Sequence, residues 1–199
     1  MCGKEERLEV MKSSKRAGMA ITDCIFMCSR DGYNFTRYDT AFITPGTEHP
    51  TNWVYGDCYP THGFALTPSH ISPEADYELS FFCKDNHRSK KPGVLVRYTI
   101  RQDGFCSMNA SETEETIVTK PFVFSGKNLF ANIATSAAGY MYFELCDVNS
   151  GKTIKSCEMF GNKVDKKISF DEDISVLSGK EVILKIKMLD ADIYSFKFE

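Results

Sequence analysis

Between Glu181 and Leu189 the apolar residues Val182, Leu184, Ile186 and Met188 alternate with charged or polar neighbours, Ile183 excepted. A period of two places successive side chains on opposite sides of an extended chain, so such a segment buries one face and wets the other. This habit recurs along most of the chain, and helical periodicity is nearly absent. The one helical candidate, Lys4 to Arg16, is mostly charged with Leu8 and Met11 on one side, and it reads as a frayed, solvated end. The pattern predicts an all-β chain behind a polar tail, residues 1–20.

Turn chemistry divides the strands. SRDGYNF (Ser29–Phe35) returns in similar form as RQDGFCS (Arg101–Ser107), each with Asp-Gly between strand-like runs. Asp31-Gly32 suits a two-residue hairpin turn, because glycine accepts the positive φ such turns need. Thr22–Ser29 and Phe35–Tyr38 read as one strand pair. After the loop PGTEHPTNWVYGDCYP come His62–Leu66, Tyr77–Cys83, Val94–Ile100 and Phe105–Met108. Four short consecutive antiparallel strands are the pattern of one β-propeller blade, so residues 21–112 read as about one and a half blades.

Residues 113–199 carry further segments of alternating or apolar character: TIVTKPFVF, NLFANIAT, YMYFELCDV, TIKSCEM, KKISF, EVILKIKML and IYSFKFE. Gly126-Lys127, Asn149-Ser150-Gly151 and Ser178-Gly179-Lys180 punctuate them. Short strands with frequent turn signals read as a β-sandwich. TSAAGY (Thr135–Tyr140) reads as a small-residue turn, not a phosphate loop, since no glycine-rich motif precedes a helix.

Composition narrows the function classes. The net charge is −3 with no dense basic run, against a nucleic-acid partner, which needs clustered Lys and Arg. No apolar run reaches the ~18 residues of a membrane span. The first twenty residues lack the apolar middle of a secretory signal, so the expected location is cytoplasmic. The eight cysteines sit mostly in apolar stretches such as CIFMC and FELCD, where reduced thiols behave as small core residues. Cys24 and Cys28 do not have C-x-x-C spacing, and His49, His62, His70 and His87 are scattered, so neither metal nor cofactor is expected.

TKPFVFSGKNLFANIATSAAGYMYFELCD (Thr119–Asp147) resembles the start, and LSGKEVILKIKMLDADIYSFKF (Leu177–Phe198) the end, of a C-terminal β-sandwich in a group of bacterial propeller proteins. SRDGYNFTRYDTAFITPG, NWVYGDCYP and RYTIRQDGFCSMNA resemble the last part of the same proteins' five-bladed propeller, of the invertase, levanase and arabinanase type. The resemblance implies glycoside hydrolysis by two carboxylates in the whole protein. It also implies that those carboxylates come from the first three blades, and no Asp or Glu of this chain matches their motifs. No catalytic residue is therefore assigned.

For carbohydrate contact the candidates are Trp53, Tyr55, Asp57, Tyr59, His62, Asp85 and His87. In a propeller the Asn52–Pro60 lead-in opens onto the central funnel. There Trp53, Tyr55 and Tyr59 can stack on sugar rings, and Asp57 and His62 can bond hydroxyls. The alternative is that the rings pack a blade interface and Asp57 caps a turn. Asp85 and His87, with Asn86 and Arg88, form a polar tip that faces the ligand funnel, another subunit or solvent. Glu144 and Asp147 are open to a sugar or calcium site, or to a wet strand face. Three functions follow: the C-terminal, inactive part of a glycosidase-like protein; a stand-alone carbohydrate-binding or scaffold module; or an oligomeric enzyme with an interface site. The first implies missing propeller blades or self-association, because a lone blade leaves apolar faces uncovered.

Overall fold

The computed structural model describes residues 4–48, 52–53, 55–71, 75, 77–87 and 92–199. The chain is all-β, with 52% in strands against 9% in helix. It divides into two compact units: Met1–Leu66 with Leu79–Thr99, and Thr67–Glu78 with Ile100–Glu199. The sequence boundary near Thr113 thus falls inside the second unit.

The polar tail is helical rather than frayed: α1 spans Lys4–Ser13 and α2 Lys15–Met19. Lys, Glu, Leu and Met all favour helix. After the break at Ser14, α2 has Ala17 buried and Gly18 against Met11 and the Arg7 carbonyl. That contact is what a periodicity count of a short charged segment misses.

In the first unit β1 (Cys24–Ser29) pairs antiparallel with β2 (Phe35–Ile43), Ser29 opposite Phe35. The Asp31-Gly32 turn is wider than a two-residue hairpin. Asp31 Oδ1 accepts from the N–H groups of Tyr33 and Asn34 at 2.9 and 2.8 Å, and Gly32 takes φ 77°. β3 (Ala65–Pro68), β4 (Tyr77–Asp85) and β5 (Val94–Arg101) form a three-stranded sheet in that order. Aromatic rings bind the first unit together. Tyr38 and Phe42 lie 5.6 and 5.7 Å from Phe26, Phe42 stacks on Phe81 at 5.9 Å, and Phe81 meets Phe64 and Tyr98 at 5.8 and 5.5 Å.

The fourth strand expected after β5 does not join that sheet. β6 (Met108–Ala110) pairs instead with the last strand of the second unit. The second Asp-Gly is therefore a link between sheets, not a hairpin, and Asp103 takes φ 54° in it. The two Asp-Gly copies share neither turn conformation nor topology: Gly32 takes the positive φ in the first and Asp103 in the second.

The second unit adds β7 (Glu115–Val118), β8 (Phe122–Val123), β9 (Leu129–Asp147), β10 (Thr153–Lys155), β11 (Asn162–Lys167) and β12 (Glu181–Phe198), with a short 3-10 turn at Ile174–Leu177. They form one seven-stranded sheet with β6. Its spine is the antiparallel pair β9 and β12; β10 and β11 flank β9, while β6, β7 and β8 flank β12. Four expected strands are thus two long ones. The small-residue stretch TSAAGY survives as a bulge: Leu189 faces Tyr140 and Ala191 faces Thr135, so Ser136–Gly139 oppose Asp190 alone. Ser136 Oγ stitches the bulge by accepting from the N–H groups of Ala138 and Gly139 at 3.2 and 2.9 Å.

The bulges keep one face apolar. Val182, Leu184, Ile186 and Met188 are buried, and past Asp190 the buried positions become Ala191 and Ile193. One extra residue switches parity and keeps the apolar set on the core side. On β9, Leu129, Ala131, Ile133, Met141, Phe143 and Leu145 meet them, with Ile154, Ile168, Ile174 and Leu177 completing the core. Each of these Val, Leu, Ile, Met and Phe side chains, fully buried, contributes roughly 1.5–3 kcal/mol.

Candidate functional site

The residues singled out from sequence separate into buried and exposed groups within the first unit. Asp57 and Asp85 are buried, at 0% and 6% exposure. Asp57 Oδ1 accepts from the His87 N–H at 3.2 Å. Gly56, at φ 97°, lies so close to His87 that a Cβ would meet the imidazole, and its N–H donates to Thr22 Oγ1 at 2.9 Å. Asp57 and His87 are therefore brought together as a loop-fixing pair. Neighbouring Asn86 has φ 62° and donates to the Pro92 carbonyl at 2.7 Å. Trp53, at φ 65°, gives its indole N–H to the Gly46 carbonyl at 2.9 Å and stays about a third exposed. The Arg16 guanidinium lies 5.6 Å from the Tyr55 ring. Tyr59 and His62 are exposed. Val54, His49 and Arg88–Lys91 lie outside the described residues.

Beside this loop Cys58 and Cys83 are buried, and burial, reinforced by neighbouring acids, pushes both thiols up to about 11. Cys24 is raised as well, by burial and then by Asp23. All seven cysteines among the described residues are free thiols. Among the described residues no group of three or more His, Cys, Asp or Glu is placed to hold a metal ion, and no helix is long and apolar enough to cross a membrane.

The second unit holds a cleft that the sequence reading did not single out. Its volume is about 280 Å³, and Tyr77, Gln102, Asp103, Phe130, Asn132, Asp165, Ser195 and Lys197 are among its lining. Register explains the convergence. Asn132 is opposite Ser195 and Phe130 opposite Lys197, and directly opposed residues share a face. This face is the reverse of the one carrying Ala131 and Ile133 into the core. The Ser195 hydroxyl donates to Asp103 Oδ2 at 2.7 Å, and Asn132 Nδ2 donates to the Gln102 carbonyl at 2.7 Å. Together they pin the Arg101–Gly104 turn over the rung. A register shift between Lys163 and Lys166 bulges Val164 and Asp165 onto the rim.

Lys197 stands between carboxylates. Its Nζ is 2.7 Å from Glu199 and 3.4 Å from Asp165, and the Glu199 contact first holds its ammonium above the ordinary lysine range. Asn132 is 2% exposed, and its Oδ1 has no hydrogen-bond partner among the described residues. The available signal was Asn132 itself, the polar residue inside the apolar run LFANI.

A second polar face lies over β9. Tyr140 and Tyr142 donate to Glu114 and Glu158 at 2.6 and 2.7 Å, and both phenols are raised by those hydrogen bonds. Glu144 pairs with Lys155 at 3.2 Å, so it sits on a wet strand face. Asp147 is buried and caps the following turn, accepting from the N–H groups of Asn149 and Ser150.

Comparison with protein-family models, with curated proteins and with solved structures finds no match.

Proposed function

We propose that the chain is a non-catalytic, carbohydrate-contacting part of a glycoside hydrolase-like protein. Its first unit serves as propeller-blade structure, and its second unit as a sandwich-like support. The observation that carries this reading is the aromatic run of the first unit. Phe42 of β2 stacks on Phe81 of β4, so two separate antiparallel sheets meet through rings, as adjacent blades do. At its margins Phe64, Leu66 and Leu95 are more than half exposed, as are Phe35 and Tyr33 near the β1–β2 turn. Exposed apolar residues in such number mark a surface suited to cover by a further sheet. Trp53, Tyr59 and His62 are accessible for carbohydrate in this arrangement, while Asp57 and Asp85 are buried and Asp57 holds the His87 N–H.

The size of the native polypeptide tests the reading, measured on a denaturing gel with an antibody against the second unit. A band at about twice 22.5 kDa or more is expected. A band at 22.5 kDa would overturn the propeller-support role and leave a stand-alone binding module as the function to pursue.

A further inference from the structure

We infer that Asp103-Gly104 is a site of spontaneous covalent modification, where the aspartate isomerises to isoaspartate and loosens the Arg101–Gly104 turn from the Asn132–Ser195 rung, while Asp31-Gly32 is protected. The inference does not depend on the carbohydrate reading.

The chemistry is intramolecular. The backbone nitrogen that follows an aspartate attacks its Cγ, one water leaves, and a five-membered succinimide closes. Water then reopens the ring. Opening at the α-carbonyl leaves the chain running through Cβ and Cγ, with the α-carboxylate as the new side group. The mass is unchanged, and no oxidant or second substrate enters. A following glycine is the most permissive arrangement, because no Cβ hinders the attacking nitrogen. The chain has two such pairs, Asp31-Gly32 and Asp103-Gly104.

Their surroundings differ. At Asp31 both reacting groups are held. Oδ1 accepts from Ser29 Oγ and from the N–H groups of Tyr33 and Asn34 at 2.9, 2.9 and 2.8 Å, and Oδ2 accepts from Asn34 Nδ2 at 2.7 Å. The Asn34 N–H first, then its amide, hold this carboxyl well below the usual range. An ionised carboxylate has no hydroxyl to lose as water, so it is a poor electrophile. The nucleophile is held too, since the Gly32 N–H donates to Ser29 Oγ at 2.9 Å. The positive φ falls on Gly32, which leaves Asp31 free of left-handed strain.

At Asp103 the exposed carboxylate accepts one hydrogen bond among the described residues, from the Ser195 hydroxyl to Oδ2 at 2.7 Å. The Gly104 N–H has only a 3.1 Å contact with the Arg101 carbonyl. Here the aspartate itself takes the left-handed φ of 54°, which a residue with a Cβ adopts less readily than glycine. Isomerisation adds a backbone atom at this strained position and moves the carboxylate away from Ser195. The Gln102 carbonyl that Asn132 Nδ2 holds at 2.7 Å is one residue away, so both ties to the rung are disturbed.

The test is to age the full chain at neutral pH and body temperature, digest it, and label its peptides with an isoaspartate methyltransferase and a labelled methyl donor. Electron-transfer fragmentation places each isoaspartate. The Asp103 peptide should take label severalfold faster than the Asp31 peptide in the native chain, and the two rates should converge in urea. Equal native rates, a faster Asp31, or no reaction at Asp103 would overturn the inference. Asp103→Glu keeps the carboxylate but disfavours ring closure, so label persisting in that peptide would count against the site. Ser29→Ala frees both groups at Asp31 and should raise its rate toward the urea value; an unchanged rate would refute the account of its protection. In aged protein the NMR signals of Ser195 and the Asn132 amide should shift in proportion to isoaspartate, and unshifted signals would refute the loosening of the turn.

Discussion

Replacing Gly139 by alanine tests whether the β9–β12 spine depends on its bulge. Gly139 is buried in the bulge opposite Asp190, and its φ is not in the left-handed region, so backbone preference does not require glycine there. Space does. A Cβ would overlap the Asp190 carbonyl oxygen and come within 2.9 Å of that of Leu189. Both are backbone atoms of a paired strand, and Asp190 is further tied by its N–H to the Ser111 carbonyl at 2.9 Å. They cannot swing aside as a flexible side chain would, so the cost belongs at the upper end of overpacking, about 3 kcal/mol. For a unit of roughly 110 residues, unfolding entropy near 2.1 cal/mol/K per residue makes this a fall in Tm of about 13 °C. Far-UV circular dichroism and hydrogen exchange of β9 amides are the assays, since Trp53 fluorescence reports on the other unit. Gly151→Ala is the control. Gly151 has φ 72° with no neighbouring heavy atom within 4 Å, so it carries only the left-handed penalty of about 1 kcal/mol. If Gly139→Ala proves as mild as Gly151→Ala, the steric account of the bulge is wrong.

Phe143→Ala should destabilise the second unit by about 3–5 kcal/mol in urea unfolding, because the ring is fully buried at the centre of the core. The Ser150 hydroxyl and the N–H groups of Ser150 and Asn149 hold the Asp147 carboxyl below the usual range. Its contribution is therefore complete above the unfolded carboxylate pKa of about 3.9 and lost as pH falls through the lower folded value. Asp147→Asn should flatten the acid limb of a stability-versus-pH curve, and an unchanged limb would remove Asp147 from the account. Mass-spectrometric mapping after brief native alkylation near pH 8 should find, among the described cysteines, Cys28 and Cys157, both exposed, modified first. Cys58 and Cys83, buried with thiols pushed up to about 11, should react only after denaturation.

Much of the architecture was legible in the residues because a strand's period is local. The alternation Val182, Leu184, Ile186, Met188 announces a one-sided strand, and these four side chains are all buried. Turn residues announce where the chain bends, as at Asp31-Gly32 and Asn149–Gly151. What local pattern does not encode is which strand a segment pairs with. Met108–Ala110 has no marking that sends it to Ala191–Ile193 instead of to β5. TSAAGY has the composition of a turn, yet pairing with β12 on both sides holds it as a bulge in one continuous strand. α2 packs Gly18 against Met11 of α1, a contact that periodicity does not weigh.

The candidate sites divide in the same way. Residue types put Trp53, Tyr55, Asp57, Tyr59, His62, Asp85 and His87 on one list, but burial sorts Asp57 and Asp85 from Trp53, Tyr59 and His62. The cleft of the second unit joins Asp103, Asn132, Asp165 and Ser195, which are far apart in the chain and carry no shared motif. Sequence by itself determined that this chain would be β, some of its turns, such as those at Asp31-Gly32 and Asn149–Gly151, and the apolar face of a strand such as Val182–Met188, because these follow from side-chain period and backbone preference over a few residues. Only the tertiary structure decided the strand partners, the bulges and the convergence of polar groups on one rung, because register is set by long-range hydrogen bonding and packing that no short stretch contains.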